Sequence, residues 1–189
     1  MAGAAGSSEP AMKSMEDLRK WLQPTEYLSL GNEYKKHLNS YVPGTGDWLR
    51  ESEIVRNWED GTKKGCLWVK GIPGSGKSVF AASTVRTLAE TQDANGRMVP
   101  GLFFFFRQIV EKNHDPKYLV RDWAAQLLQI SSDFREKISE LSKESGVDGI
   151  EMTKLWDVFV ESLEGMEKVY CIADALDEMD DQHVSFMEN

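Results

Sequence analysis

The chain has 189 residues, 41% hydrophobic and 28% charged, the balance of a globular domain with a core of its own. A formal net charge of −9 with no offsetting basic cluster excludes a general nucleic-acid binder, because the summed field repels a polyanion. Two cysteines, Cys66 and Cys171, are too few for a disulfide framework or a metal knuckle; each sits in an apolar run, which predicts buried thiols in a reducing, cytoplasmic setting.

Residues 1–13 are small and polar and predict a disordered leader without the basic and apolar regions of a secretory signal. Met15, Leu18, Trp21 and Leu22 have helical spacing that stops at Pro24, and a weaker helix is expected over about 32–40. Pro43-Gly44-Thr45-Gly46-Asp47 is a turn cluster. After it, Trp48, Leu49, Ile54, Val55 and Trp58 predict one helix closed by Asp60-Gly61. Residues 14–60 thus read as a helical segment preceding a core over 61–189.

That core opens with Cys66-Leu67-Trp68-Val69-Lys70, a short strand running into Gly71-Ile72-Pro73-Gly74-Ser75-Gly76-Lys77-Ser78. Phe80, Thr84 and Leu88 mark the helix that follows. Leu102 to Phe106 is an unalternating aromatic run, the signature of a strand covered on both faces; the apolar stretch from Gly101 to Phe106 is far too short to span a bilayer. Asp115-Pro116 opens a helix carrying Leu119, Trp123, Leu127 and Leu128, and Phe134, Ile138 and Leu141 mark another. Residues 146–149 read as a loop. Met152, Leu155, Trp156, Phe159, Val160 and Leu163 form the cleanest amphipathic pattern, and Val169 to Ala173 is the last strand. Strands alternating with helices predict an α/β fold with a mainly parallel sheet and flanking helices.

The stretch from Gly71 to Ser78 fits G-x-x-x-x-G-K-[ST], a pattern that average composition produces on the order of once in 25,000 positions. The chemistry needs each element. Gly71, Gly74 and Gly76, with Pro73 and Ser75 between them, let the backbone turn its N–H groups around a phosphate. Lys77 places a point charge by the outer phosphates, and Ser78 offers a hydroxyl to Mg²⁺. In an open parallel sheet ligands sit at the carboxyl ends of the strands, so Asp174, ending its strand, is the candidate second Mg²⁺ ligand. Asp177 and Glu178 are candidates to orient an attacking water, with a solvated acidic turn running on to Asp181 as the competing reading. Arg107 ends the aromatic strand, where a solvated strand end competes with a phosphate contact. His37, His114 and His183 are scattered and form no triad or metal constellation. The tryptophans read mostly as core, with Trp48 the one placed to approach a base.

The order GCLWVKGIPGSGKS, GLFFFFR, VYCIADALDE resembles the NACHT-type P-loop NTPases of the STAND class, and the upstream KWLQPTEY and PGTGDWLRESEIVRNWEDG resemble the nephrocystin-like region of fungal NLR-type proteins. The resemblance covers about residues 18–181. It implies a cytoplasmic nucleotide-driven switch of innate-immune or heterokaryon-incompatibility signalling, binding ATP or GTP with Mg²⁺ and forming homo- or hetero-oligomers with NLR-type relatives. It also implies a fourth strand between the Cys66–Lys70 strand and the Asp174 strand, and later lid and sensor elements. None is found here, so the fold is expected to be an incomplete P-loop NTPase, truncated after the Asp174 strand, with slow or absent hydrolysis. Its two site-bearing strands would then either pair directly or leave apolar surface exposed. The alternative reading is a non-catalytic fragment that pairs with full-length relatives through its sheet edge and the helices at 115–130 and 151–164.

Overall fold

The computed structural model describes residues 13–61, 65–92, 96 and 98–180; the expected leader up to residue 12 and the residues from Asp181 on fall outside them. In chain order the elements are α1 (Met15–Leu22), α2 (Glu33–Asn39), α3 (Asp47–Arg50), α4 (Glu53–Asp60), α5 (Lys77–Glu90), β1 (Gly101–Phe105), α6 (Pro116–Leu127), α7 (Ser132–Glu144), α8 (Met152–Glu164) and β2 (Tyr170–Asp174). One-turn 3-10 helices lie at Val147–Gly149, in the expected loop, and at Leu176–Glu178. The fold is α/β, mostly helical, around a two-stranded parallel sheet.

Local chemistry explains the boundaries. Side chains of Ser14, Asn32, Asp115 and Ser131 accept from backbone N–H groups in the first turns of α1, α2, α6 and α7, and Pro116 sits where no N–H is needed. The single helix expected over Trp48–Trp58 is divided into α3 and α4. Ser52 causes the break: its hydroxyl caps the Val55 N–H, and its own backbone is extended.

β1 and β2 pair in parallel from Gly101 opposite Tyr170 to Phe105 opposite Asp174. Alternation along β1 sorts its side chains. Gly101 meets Leu88 of α5, Phe103 stacks on Tyr34 of α2 at 4.6 Å, and Phe105 packs on Tyr34 and His37. Leu102, Phe104 and Phe106 enter the main core with Leu119, Leu127, Phe134, Ile138 and Phe159 of α6, α7 and α8. Leu18 and Leu22 of α1 are buried in that same core. The aromatic run is covered on both sides, as its lack of alternation predicts.

The outer edge of β1 is closed by side chains. The Gln126 carboxamide accepts from the Phe103 N–H at 3.0 Å and donates to the Phe103 carbonyl at 2.9 Å, and Asn113 Nδ2 donates to the Phe105 carbonyl at 3.0 Å. A glutamine on a buried helix thus takes the place of a neighbouring strand. The residues between α1 and α2 are tied to α6 by Asp122, whose buried carboxylate accepts from the Thr25 N–H at 2.6 Å and its hydroxyl at 2.5 Å.

Two expectations are corrected. Residues 66–70 form no regular element and join no ladder among the described residues, so the sheet has two strands where three were expected. Cys66 and Cys171 are exposed, not buried, because residues 66–70 and the second edge of β2 have no strand laid against them among the described residues. Trp68, with 56% of its surface exposed, and Ile72, with 77%, lie on the same uncovered stretch.

Burial raises the Asp122 carboxyl to about 7, against the opposing pull of its Thr25 bonds. A folded state that holds a proton the unfolded chain releases loses stability as pH rises between the two values. Urea midpoints should therefore fall from pH 4 to pH 7 and level off above it, and Asp122→Asn should flatten that slope. Gln126→Leu keeps the apolar volume but leaves the Phe103 N–H and carbonyl without partners, which costs about 1–3 kcal/mol. Denaturant unfolding should show this loss with an unchanged m-value.

Candidate phosphate and metal site

The loop before α5 turns as its glycines require. Gly74 and Gly76 have φ of 80° and 87°, in the left-handed region, and Gly76 forms the cap of α5. Gly71 lies close under Ser75, where an added Cβ would stand 2.8 Å from the Ser75 hydroxyl. Beyond Pro73 the Ser75 N–H closes a turn onto the Ile72 carbonyl at 3.2 Å. Lys77 folds back over this loop, donating to the Gly71 carbonyl at 2.8 Å and the Ile72 carbonyl at 3.1 Å. The ammonium therefore sits across the mouth of its own loop. The loop itself is exposed.

Upstream helices brace α5. Arg50 of α3 donates to Ser83 at 3.1 Å and lies over the Phe80 ring, while its other amino group stands 3.6 Å from Glu59 of α4. The α4 end is held in turn by Lys168 and by the Tyr170 hydroxyl, both donating to the Glu59 carbonyl, and by Trp58 packing on Tyr170.

Ser78, in the first turn of α5, lies near Asp174 at the carboxyl end of β2, the strand against which α5 packs. Asp174 is 9% exposed, and burial raises its carboxyl above the ordinary aspartate value. The Ser78 hydroxyl, the His37 charge, the Ala175 N–H and the Lys77 charge oppose that rise. The chain leaves the site through Ala175, whose φ of 56° is left-handed for a residue with a Cβ and turns the backbone into the 176–178 helix. Among the described residues no three His, Cys, Asp or Glu side chains are grouped to hold a metal by themselves. One hydroxyl and one carboxylate suit Mg²⁺ bound partly by phosphate oxygens and water, which keeps most of its shell from outside the protein.

The acids beyond Asp174 separate. Asp177 is exposed. Glu178 is engaged at both oxygens, by Arg107 at 3.2 Å and by the Gln108 N–H at 3.0 Å. Arg107, with 43% of its side chain exposed, ties the turn after β2 to the turn after β1 through Glu178. Asp181 and His183 lie outside the described residues. His114 stands 3.7 Å from Asp180, and Trp48 is 78% exposed on α3.

His37 is the site residue that sequence reasoning missed. Its ring stacks on Phe105 at 5.8 Å, and Phe105 is the residue paired with Asp174. The available signal was Tyr34 and His37 at a spacing of three, which puts two rings on the face of α2 that meets an aromatic strand.

A small α/β domain with a glycine-rich lysine loop at one helix start and a buried aspartate at the neighbouring strand end defines the class. Residues 44–189 match the family model Nephrocystin 3, N-terminal, and the chain belongs to that family. Neither a curated protein nor a solved structure matches it. Among the described residues no helix is long and apolar enough to cross a membrane.

Replacing Gly76 with alanine forces a Cβ into a left-handed position with no steric compensation, at a cost of about 1–2 kcal/mol. Thermal unfolding of Gly76→Ala should show a lowered midpoint, whereas Gly31→Ala, where open space surrounds the position and φ is ordinary, should not.

Proposed function

We propose that the chain is the nucleotide-binding module of a NACHT-type signalling switch, binding ATP or GTP with Mg²⁺. The carrying observation is the packing of α5, whose start carries Lys77 and Ser78, against β2, which ends in the buried Asp174; it supports reading these distant parts of the chain as two halves of a phosphate–metal site. The loop of Gly71, Pro73, Gly74, Ser75 and Gly76 would hold phosphate oxygens through its N–H groups, with the positive end of α5 behind them. Lys77 would leave the carbonyls of Gly71 and Ile72 for the outer phosphates, exchanging neutral acceptors for an anion. Ser78 and Asp174 would hold Mg²⁺, which supplies charge neutralisation across the phosphates. Asp174 must then give up the proton that its burial favours, so binding should strengthen as pH rises through its raised value.

Hydrolysis on this reading is slow at most. Glu178 is held by Arg107 and the Gln108 N–H, and Asp177 stands exposed, so neither is positioned to activate water in this arrangement.

A second reading is favoured by the exposed edge of β2 and the exposed Trp68 and Ile72: a non-catalytic module that pairs with NLR-type relatives. The α6 surface offers little to such a partner, because that helix is buried from Leu119 to Leu127. One titration separates the two. Wild-type chain should bind Mg·ATP or Mg·GTP, and Lys77→Ala should weaken that binding at least tenfold with its unfolding midpoint unchanged. A wild type that binds neither nucleotide but forms oligomers carries the second reading instead.

A further inference from the structure

His37 lies beside the Asp174 end of the sheet. Its helix, α2, packs against α5 and β1, and its ring lies face-on to Phe105, directly across the ladder from Asp174. Stacking uses the face of an imidazole and leaves the nitrogens at its edge for other contacts. The nearby carboxylate on α2, Glu33, is 4.0 Å from Nε2, beyond hydrogen-bond range, and is itself bound by Lys36 at 2.6 Å. The side chain keeps about a third of its surface open to solvent.

Position selects the phosphate. In a site of this kind the loop holds the inner phosphates, the lysine reaches the outer ones, and the metal bridges the last two from the hydroxyl and carboxylate side. A group lying beyond Asp174 on that side approaches the outermost phosphate. We propose that His37 donates a ring N–H to the terminal phosphate of a nucleoside triphosphate, making α2, which lies upstream of the residues matched by the family, part of the binding site. This inference rests on the nucleotide reading above.

The test compares Mg·ATP and Mg·ADP binding by calorimetry for the wild type, His37→Phe, His37→Ala and His37→Gln. His37→Phe retains the stack on Phe105 and lacks an N–H, so packing and hydrogen bonding are separated. His37→Phe and His37→Ala should each weaken Mg·ATP about tenfold while Mg·ADP changes less than about twofold, and His37→Gln should recover most of the loss. Wild-type affinity for Mg·ATP in His37→Phe overturns the inference, since packing alone would then explain the residue. An equal loss for both nucleotides in His37→Phe overturns it as well. A wild type that binds neither nucleotide overturns the underlying reading, a result distinct from either.

Discussion

Five parallel residue pairs between β1 and β2 hold the two ends of the domain's chemistry in place. Because Phe105 stands opposite Asp174, the strand that presents an aromatic face to α2 lies directly beside the strand that carries the acid. A register slip by one residue would turn Asp174 from its place beside Ser78 and send Phe103 and Phe105 into the opposite layer. The ladder is short, and isolated two-stranded sheets are marginal in water. Its persistence depends on what covers it: α5 and α2 on one side, and the cluster of α6, α7, α8 and α1 on the other.

The two edges of this sheet are treated differently. Gln126 and Asn113 satisfy backbone groups along the outer side of β1, so no further strand can add there without displacing them. The far side of β2 has no strand laid against it among the described residues, and Cys171 on it is exposed, as are Cys66 and Trp68 before the glycine loop. The resemblance to larger P-loop proteins anticipated this place as the position of a further strand, and of its two anticipated outcomes, direct pairing or exposed apolar surface, the second is found. α5 nevertheless packs against both strands, with Leu88 against Gly101 and Ser83 bound by Arg50 of α3, which keeps Ser78 at the Asp174 end of the sheet.

Family membership spans residues 44–189, yet the physical domain does not begin there. Leu18 and Leu22 are fully buried in the main core, Thr25 is bound by Asp122, and Tyr34 and His37 cover the aromatic strand. Removing α1 and α2 would uncover Phe103 and Phe105 and leave the Asp122 carboxylate buried without its two donors, the costlier of the two losses.

Much of this was legible from residue types and spacing alone. The glycine pattern required positive φ at Gly74 and Gly76, the aromatic run required cover on both faces, and Asp115-Pro116 required a helix start, because each follows from local sterics or from whether a side chain can leave water. What lay beyond it were the relations between segments distant in the chain. Whether residues 66–70 find a ladder depends on which neighbour reaches them, so an apolar run alone could not say that Cys66 and Trp68 would be exposed. Glu178 read as a candidate base because no periodicity reveals that Arg107 and the Gln108 N–H occupy its oxygens. His37 read as solitary because its partner, Phe105, is brought to it only by packing. The chemistry of each residue was local; its partners were chosen by the tertiary fold, where burial and the need to satisfy every enclosed polar group act across the whole chain.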